Sequence, residues 1–314
     1  MQSNKKKIIT VSIIVLSVLL LGGVIVPYPV AVSIYSASFG YRCTTDEEHA
    51  FDMAEFPELT AERHTFDTMQ GHQLVGYLYQ NTQTHPHALL VFAHGLGGGG
   101  QNGYMDIFNY FCSRGFAVFA YDATGNDESE GKVIGGLPQG FIDLDHAISY
   151  VQTLDAVNSL PMVLMGYSWG GLSVGNVLNY HPEVEAVASL AGWDRSMDMI
   201  EYRGCQMVGP VGKLLLPYVT LHEYITYGDY AFSSAIDGFE NSDCDVFVVH
   251  GELDDTIPIE YGYDAYYEAF SDNPRFTFKA YPDRDHLVMR EQDGSHDMAL
   301  MAEIADFFEA ALQN

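Results

Sequence analysis

The sequence predicts an α/β protein, a mostly parallel central sheet with helices on both faces and an inserted helical lid, preceded by one N-terminal transmembrane helix. Three observations carry that prediction. Short apolar segments alternate with helical stretches from Arg63 to the end of the chain. The rhythm breaks between Leu190 and Val246, over a span too long for a simple αβ connection. An uncharged, mostly Ile, Val and Leu run from Ile8 to Val26 follows Lys5, Lys6 and Lys7.

The apolar run comes first in the chain. As a helix it would extend about 28 Å, close to the hydrocarbon thickness of a bilayer. Cleavable signal peptides have shorter apolar regions. The boundaries read as a cytoplasmic tail at 1–7, an anchor at 8–28, a linker at 29–60 and a folded domain at 61–314. The lysines should stay inside the cell, which places the domain outside, on a single-pass anchor in the cell membrane. Cleavage at Ser36-Ala37-Ser38 would give a secreted product instead.

The strands follow in order. Arg63–Asp67 and Leu74–Tyr79 flank a Gln70-Gly71 turn. Ala88–Ala93, Ala117–Tyr121, Met162–Met165, Val184–Leu190, Val246–His250 and Phe276–Tyr281 are the apolar strands. Helices are predicted over Tyr104–Arg114, Gln139–Thr153, from about Gly170 to Tyr180, and over Met298–Leu312. In the second of these, Phe141, Leu144, Ile148 and Val151 share one face. The lid falls at about 193–243 and is rich in Tyr, Leu, Met and Gly.

Charge narrows the function classes. Asp and Glu number 42 against 14 Lys and Arg, a formal net charge of -28. Such a surface repels phosphate backbones, which argues against nucleic-acid binding. Cys43, Cys112, Cys205 and Cys244 match no zinc spacing, and their positions leave their pairing open; Cys112 and Cys244 suit buried thiols.

Gly166-Tyr167-Ser168-Trp169-Gly170 lies directly between an apolar strand and a helix. A tight strand-to-helix turn needs glycine on both sides of the serine, and it lifts the hydroxyl clear of the sheet. A nucleophilic serine needs a base, and the base needs an acid to orient it. An acid after the Val246–His250 strand meets that need: Asp254, with Asp255 as the near alternative. His286 is the histidine in the loop after the last strand; His296, further on, is the weaker candidate. Backbone donors for a developing oxyanion would be the N–H of Trp169 and that of Leu96, in the glycine-rich loop after Ala93. That loop has no phosphate-cradling pattern. No metal or organic cofactor is implied.

His94-Gly95-Leu96-Gly97-Gly98, Asp122-x-x-Gly125, Ser129-x-Gly131, the Gly166–Gly171 segment, Gly251-x-x-Asp254-x-x-x-Pro258 and His286 together resemble the α/β-hydrolase superfamily. The closest likeness is to its serine aminopeptidase-like and monoacylglycerol lipase-like branch, over about residues 60–312. The resemblance implies a triad of Ser168, His286 and Asp254, an oxyanion hole at Leu96 and Trp169, and a lid. Asn126 and Asp127 depart from the family pattern, in a loop read as structural.

The substrate expectation is a small-molecule carboxylic ester, since the lid's apolar residues suit an acyl or aromatic group. A short peptide is the alternative, with Glu201, Glu223 or Asp229 holding its amino terminus. A binding module that kept the fold without catalysis is the alternative of another class.

Overall fold

The computed structural model describes residues 2–313; Met1 and Asn314, at the outer ends of the expected tail and domain, lie outside the described residues. The chain opens with α1 (Gln2–Leu20), a π-helical turn (Leu21–Ile25) and α2 (Pro27–Phe39). The stretch Lys5–Phe39 is long and apolar enough to cross a membrane, a character that suits an anchor or a signal sequence.

Within the stretch expected as a linker, 29–60, the chain is helical as far as Phe39. Residues 27–39 are helical because both prolines stand in the first turn, where a missing N–H costs no hydrogen bond. Beyond α2 the backbone is irregular, yet it is tied down. The Arg42 guanidinium donates to the carbonyls of Gly131, Asp127 and Ser129 at 2.5, 2.7 and 2.9 Å. Asp127 accepts from the Thr45 N–H at 2.6 Å and from the Gly100 N–H at 2.8 Å. The loop of Asn126 and Asp127 therefore clasps this segment to the glycine-rich turn.

Eight strands form one sheet: β1 (Leu59–Asp67), β2 (Gln73–Asn81), β3 (Ala88–Ala93), β4 (Phe116–Asp122), β5 (Met162–Tyr167), β6 (Ala186–Leu190), β7 (Asp245–Gly251) and β8 (Phe276–Tyr281). Their order is β1-β2-β4-β3-β5-β6-β7-β8. β2 runs against both its neighbours and every later pairing is parallel. The β1–β2 hairpin turns through Gly71 at φ 74°, a conformation that favours glycine.

Helices cover both faces. α3 (Met105–Ser113) and α10 (Met298–Ala311) bury Phe108, Phe111, Ile304 and Phe308 on one side. α4 (Pro138–Val151), α5 (Trp169–Asn176), α8 (Ala235–Asn241) and α9 (Tyr263–Phe270) cover the other, with Phe141, Leu172, Phe239 and Tyr266 in the core. Between β6 and β7 stand α6 (Ser196–Val208) and α7 (Val211–Tyr227), ahead of α8. α2 packs on α7 through Ala31, Tyr35 and Val219.

Candidate active site

Each sequence-predicted site residue follows a parallel strand at its carboxyl end, where open α/β sheets bind ligands. Leu96 follows β3, Ser168 follows β5, Asp254 follows β7 and His286 follows β8.

The turn at Ser168 is strained as the motif requires. Ser168 has φ 56° and ψ -113°, unusual for a residue with a Cβ, and its N–H donates to the Leu190 carbonyl at 2.7 Å. A Cβ on Gly166 would overlap the Gly170 carbonyl, and one on Gly170 would overlap the Ala93 carbonyl. Both positions therefore exclude a side chain, and β5 can pass into α5 only this way.

The three polar side chains meet in a line. His286 Nε2 lies 2.8 Å from Ser168 Oγ, and His286 Nδ1 lies 2.8 Å from Asp254 Oδ2. Asp254 Oδ1 accepts the N–H groups of Thr256 and Ile257 at 2.9 and 2.8 Å. Burial would raise this carboxyl, but hydrogen bonds from His250 and His286 and the charge of His286 outweigh it and hold it well below the usual carboxylate range. Asp255 is exposed and stands outside this arrangement. His296 is bound to Asp106 at 2.8 Å and stacks on Tyr104, so its ring is used elsewhere.

Several supporting residues were not picked out by the sequence reasoning. His250 Nε2 lies 2.9 Å from the Ile257 carbonyl and 3.3 Å from Asp254 Oδ2, behind the acid. His94 bridges Gly95 and Ala123: its Nδ1 donates to the Gly95 carbonyl at 2.8 Å and its Nε2 accepts the Ala123 N–H at 3.0 Å. Burial lowers its pKa, consistent with this neutral bridging form. It thereby fixes the loop that carries Leu96. The Tyr167 hydroxyl donates to the His286 carbonyl at 3.0 Å. Arg284 pairs with Asp297 at 2.7 Å and donates to the Val288 carbonyl, bracing the histidine loop. His94 stands in the His94-Gly95-Leu96-Gly97-Gly98 motif without a role assigned to it, and for His250 the sequence signal is a histidine at the end of an apolar strand.

Trp169 is the first residue of α5, so its N–H has no acceptor within the helix and points from the helix's positive end. Leu96 borders the two cavities that meet at Ser168 and His286. One, of about 330 Å³, is apolar: Met199, Ile200, Leu215, Leu216 and Val219 of the lid line it, with α2. The other, of about 680 Å³, is of mixed polarity and carries Asp46, Glu48, His49, Arg290 and Asp293. Glu201, Glu223 and Asp229 line neither. Glu201 pairs with Lys213, and Glu223 is buried among hydroxyls.

Residues 84–224 match the family model described as serine aminopeptidase, S33, a span that runs from just before β3 through the Ser168 turn into α7. The chain has the α/β-hydrolase fold. Over 104 residues the chain is 32% identical to the quorum-quenching protein AidA of Acinetobacter baumannii, a match covering 32% of this chain and 33% of that one. It thus spans about a third of the length of the curated relative it matches. An esterase of Pyrococcus furiosus superimposes with a TM-score of 0.62 at 14% identity, covering 83% of this chain and 94% of that one. The acylaminoacyl peptidase of Pyrococcus horikoshii does so with a TM-score of 0.61 at 16% identity, over 82% of this chain and 42% of that one. Both likenesses carry the fold, which serves esterase and peptidase alike.

Proposed function

We infer that this α/β-hydrolase is a membrane-anchored serine esterase that cleaves carboxylic esters through an acyl-enzyme on Ser168. The observation that carries the reading is the pair of 2.8 Å contacts joining Ser168, His286 and Asp254 beside an apolar cavity. Ser168 Oγ attacks the ester carbonyl while His286 Nε2 takes its proton. Asp254 holds the imidazole and stabilises the imidazolium. The N–H groups of Leu96 and Trp169 meet the oxyanion. The proton passes to the departing alcohol, and a water deprotonated by the same histidine releases the acid. Residues 8–28 are the anchor and the tail at 1–7 stays cytoplasmic, which sets the catalytic domain outside the membrane.

The cavity of mixed polarity favours a second reading, hydrolysis of short peptides. Asp46, Glu48 and Asp293 suit a protonated amino group more readily than the three lid acids, which line neither cavity. Two assays test these readings. A fluorophosphonate probe should label the wild-type chain and not Ser168→Ala; equal labelling of both, or none, removes the catalytic reading and leaves a binding module. Hydrolysis of p-nitrophenyl acyl esters, compared with that of aminoacyl anilides, then separates esterase from peptidase.

A further inference from the structure

The apolar cavity is walled on one side by the helix that leads out of the anchor. Ala31, Ile34, Tyr35, Ser38 and Phe39 of α2 line it opposite Ser168 and His286. The wall is firmly built. The Tyr35 hydroxyl donates to Glu223 Oε1 of α7 at 2.8 Å, and its ring meets His222 edge-on at 5.2 Å. The Tyr218 hydroxyl donates to the carbonyl of Gly23, so α7 also holds the turn between α1 and α2.

α7 itself is turned against the usual polarity of a helix in water. Its inward face carries the acid Glu223, wholly buried. Its outward face carries Val211, Leu214, Leu221 and Ile225, which are 57, 71, 43 and 65% exposed. Their spacing follows the helical repeat and makes one apolar stripe. Such a stripe marks an interaction surface. Continuity fixes its occupant: the stripe stands on the helix that grips α2, and α2 runs back into the apolar α1.

We propose that α2 and α7 form one membrane-seated unit, and that the cavity draws the acyl chain of its substrate directly from the lipid leaflet. The proposal rests on reading the chain as an anchored esterase and names its substrate class: an ester whose long acyl chain resides in the bilayer. Such a chain has already left water. It enters the cavity without first being extracted into water.

The test uses full-length protein in phosphatidylcholine vesicles, assayed on p-nitrophenyl palmitate within the vesicles and on p-nitrophenyl acetate. Ala31→Trp, which fills the cavity from the anchor side, should lower the palmitate-to-acetate ratio of kcat/KM at least tenfold. Ile34→Ala, which widens it, should raise the ratio about threefold. Leu214→Asp with Ile225→Asp, outside the cavity, should lower the ratio at least tenfold by unseating the stripe. Ala37→Trp, on the exposed side of α2, should change neither rate. Should Ala31→Trp fail to label with a fluorophosphonate, the other variants decide. Ratios within threefold of wild type in labelled Ala31→Trp and in the labelled Leu214→Asp, Ile225→Asp double variant overturn the proposal alone. Absence of labelling or of ester hydrolysis in the wild type overturns the esterase reading and this proposal with it.

Discussion

The Tyr35 hydroxyl donates a 2.8 Å hydrogen bond to Glu223, 188 positions further along the chain. Ser196 Oγ donates to the other carboxylate oxygen at 2.9 Å. One buried acid thus gathers the helix after the anchor and both lid helices, α6 and α7.

That acid makes stability depend on pH. Burial lifts Glu223 from 4.5 to about 7, against the pull of the Tyr35 and Ser196 hydroxyls. Its proton is therefore held more tightly in the folded chain. The contribution is full below pH 4.5 and is lost as pH rises through 7, a span worth about 3 kcal/mol. Glu223→Gln keeps hydrogen-bonding capacity without the charge. Its Tm should match wild type near pH 4.5 and exceed it by several degrees at pH 8.5. Equal Tm differences at both pH values in thermal melts would contradict this account.

Asp254→Asn should leave the fold intact and cut kcat by about 10,000-fold. The amide can offer its N–H to His286 Nδ1 and so favour the tautomer that cannot accept the serine proton. Circular dichroism and steady-state rates on a short acyl ester separate the two effects.

His94→Phe should slow turnover about 100-fold while fluorophosphonate labelling persists at a reduced rate. The loop bearing Leu96 loses its fixed position, and displacements of about 1 Å have effects of that size. The buried Ala123 N–H also loses its acceptor, at a cost of about 1–3 kcal/mol that a denaturant titration would register. Full activity in a destabilised His94→Phe would mean that the loop needs no such brace.

Gly170→Ala should cost about 3 kcal/mol of stability or more, since its Cβ would overlap the Ala93 carbonyl and neither backbone can retreat. Gly204→Ala, whose added Cβ meets nothing within 4 Å, is the matched control. A similar Tm for the two would remove the steric argument for this turn.

The eight strands were legible because each is a short apolar run bounded by turn residues, a local signal. Ser168, Asp254 and His286 were legible because strand ends place them, and strand ends can be read from periodicity. α2 was hidden by its prolines, which mark a break inside a helix but begin one equally well at its first turn. His94 and Asp127 were hidden for another reason. Their partners are backbone groups of other segments, the Ala123 N–H for one and the Thr45 and Gly100 N–H groups for the other. No spacing rule records such pairings.

The two cavities that meet at Ser168 differ in polarity, and a cleaved ester differs in the same way between its halves. On the proposed esterase reading, the acyl group carried on Ser168 would occupy the apolar chamber beneath the lid. On the same reading the alcohol, which leaves first, would depart through the chamber rimmed by Asp46, Glu48 and Arg290. A single serine set between two unlike chambers would then sort its products by solubility, giving turnover a direction in space as well as in time.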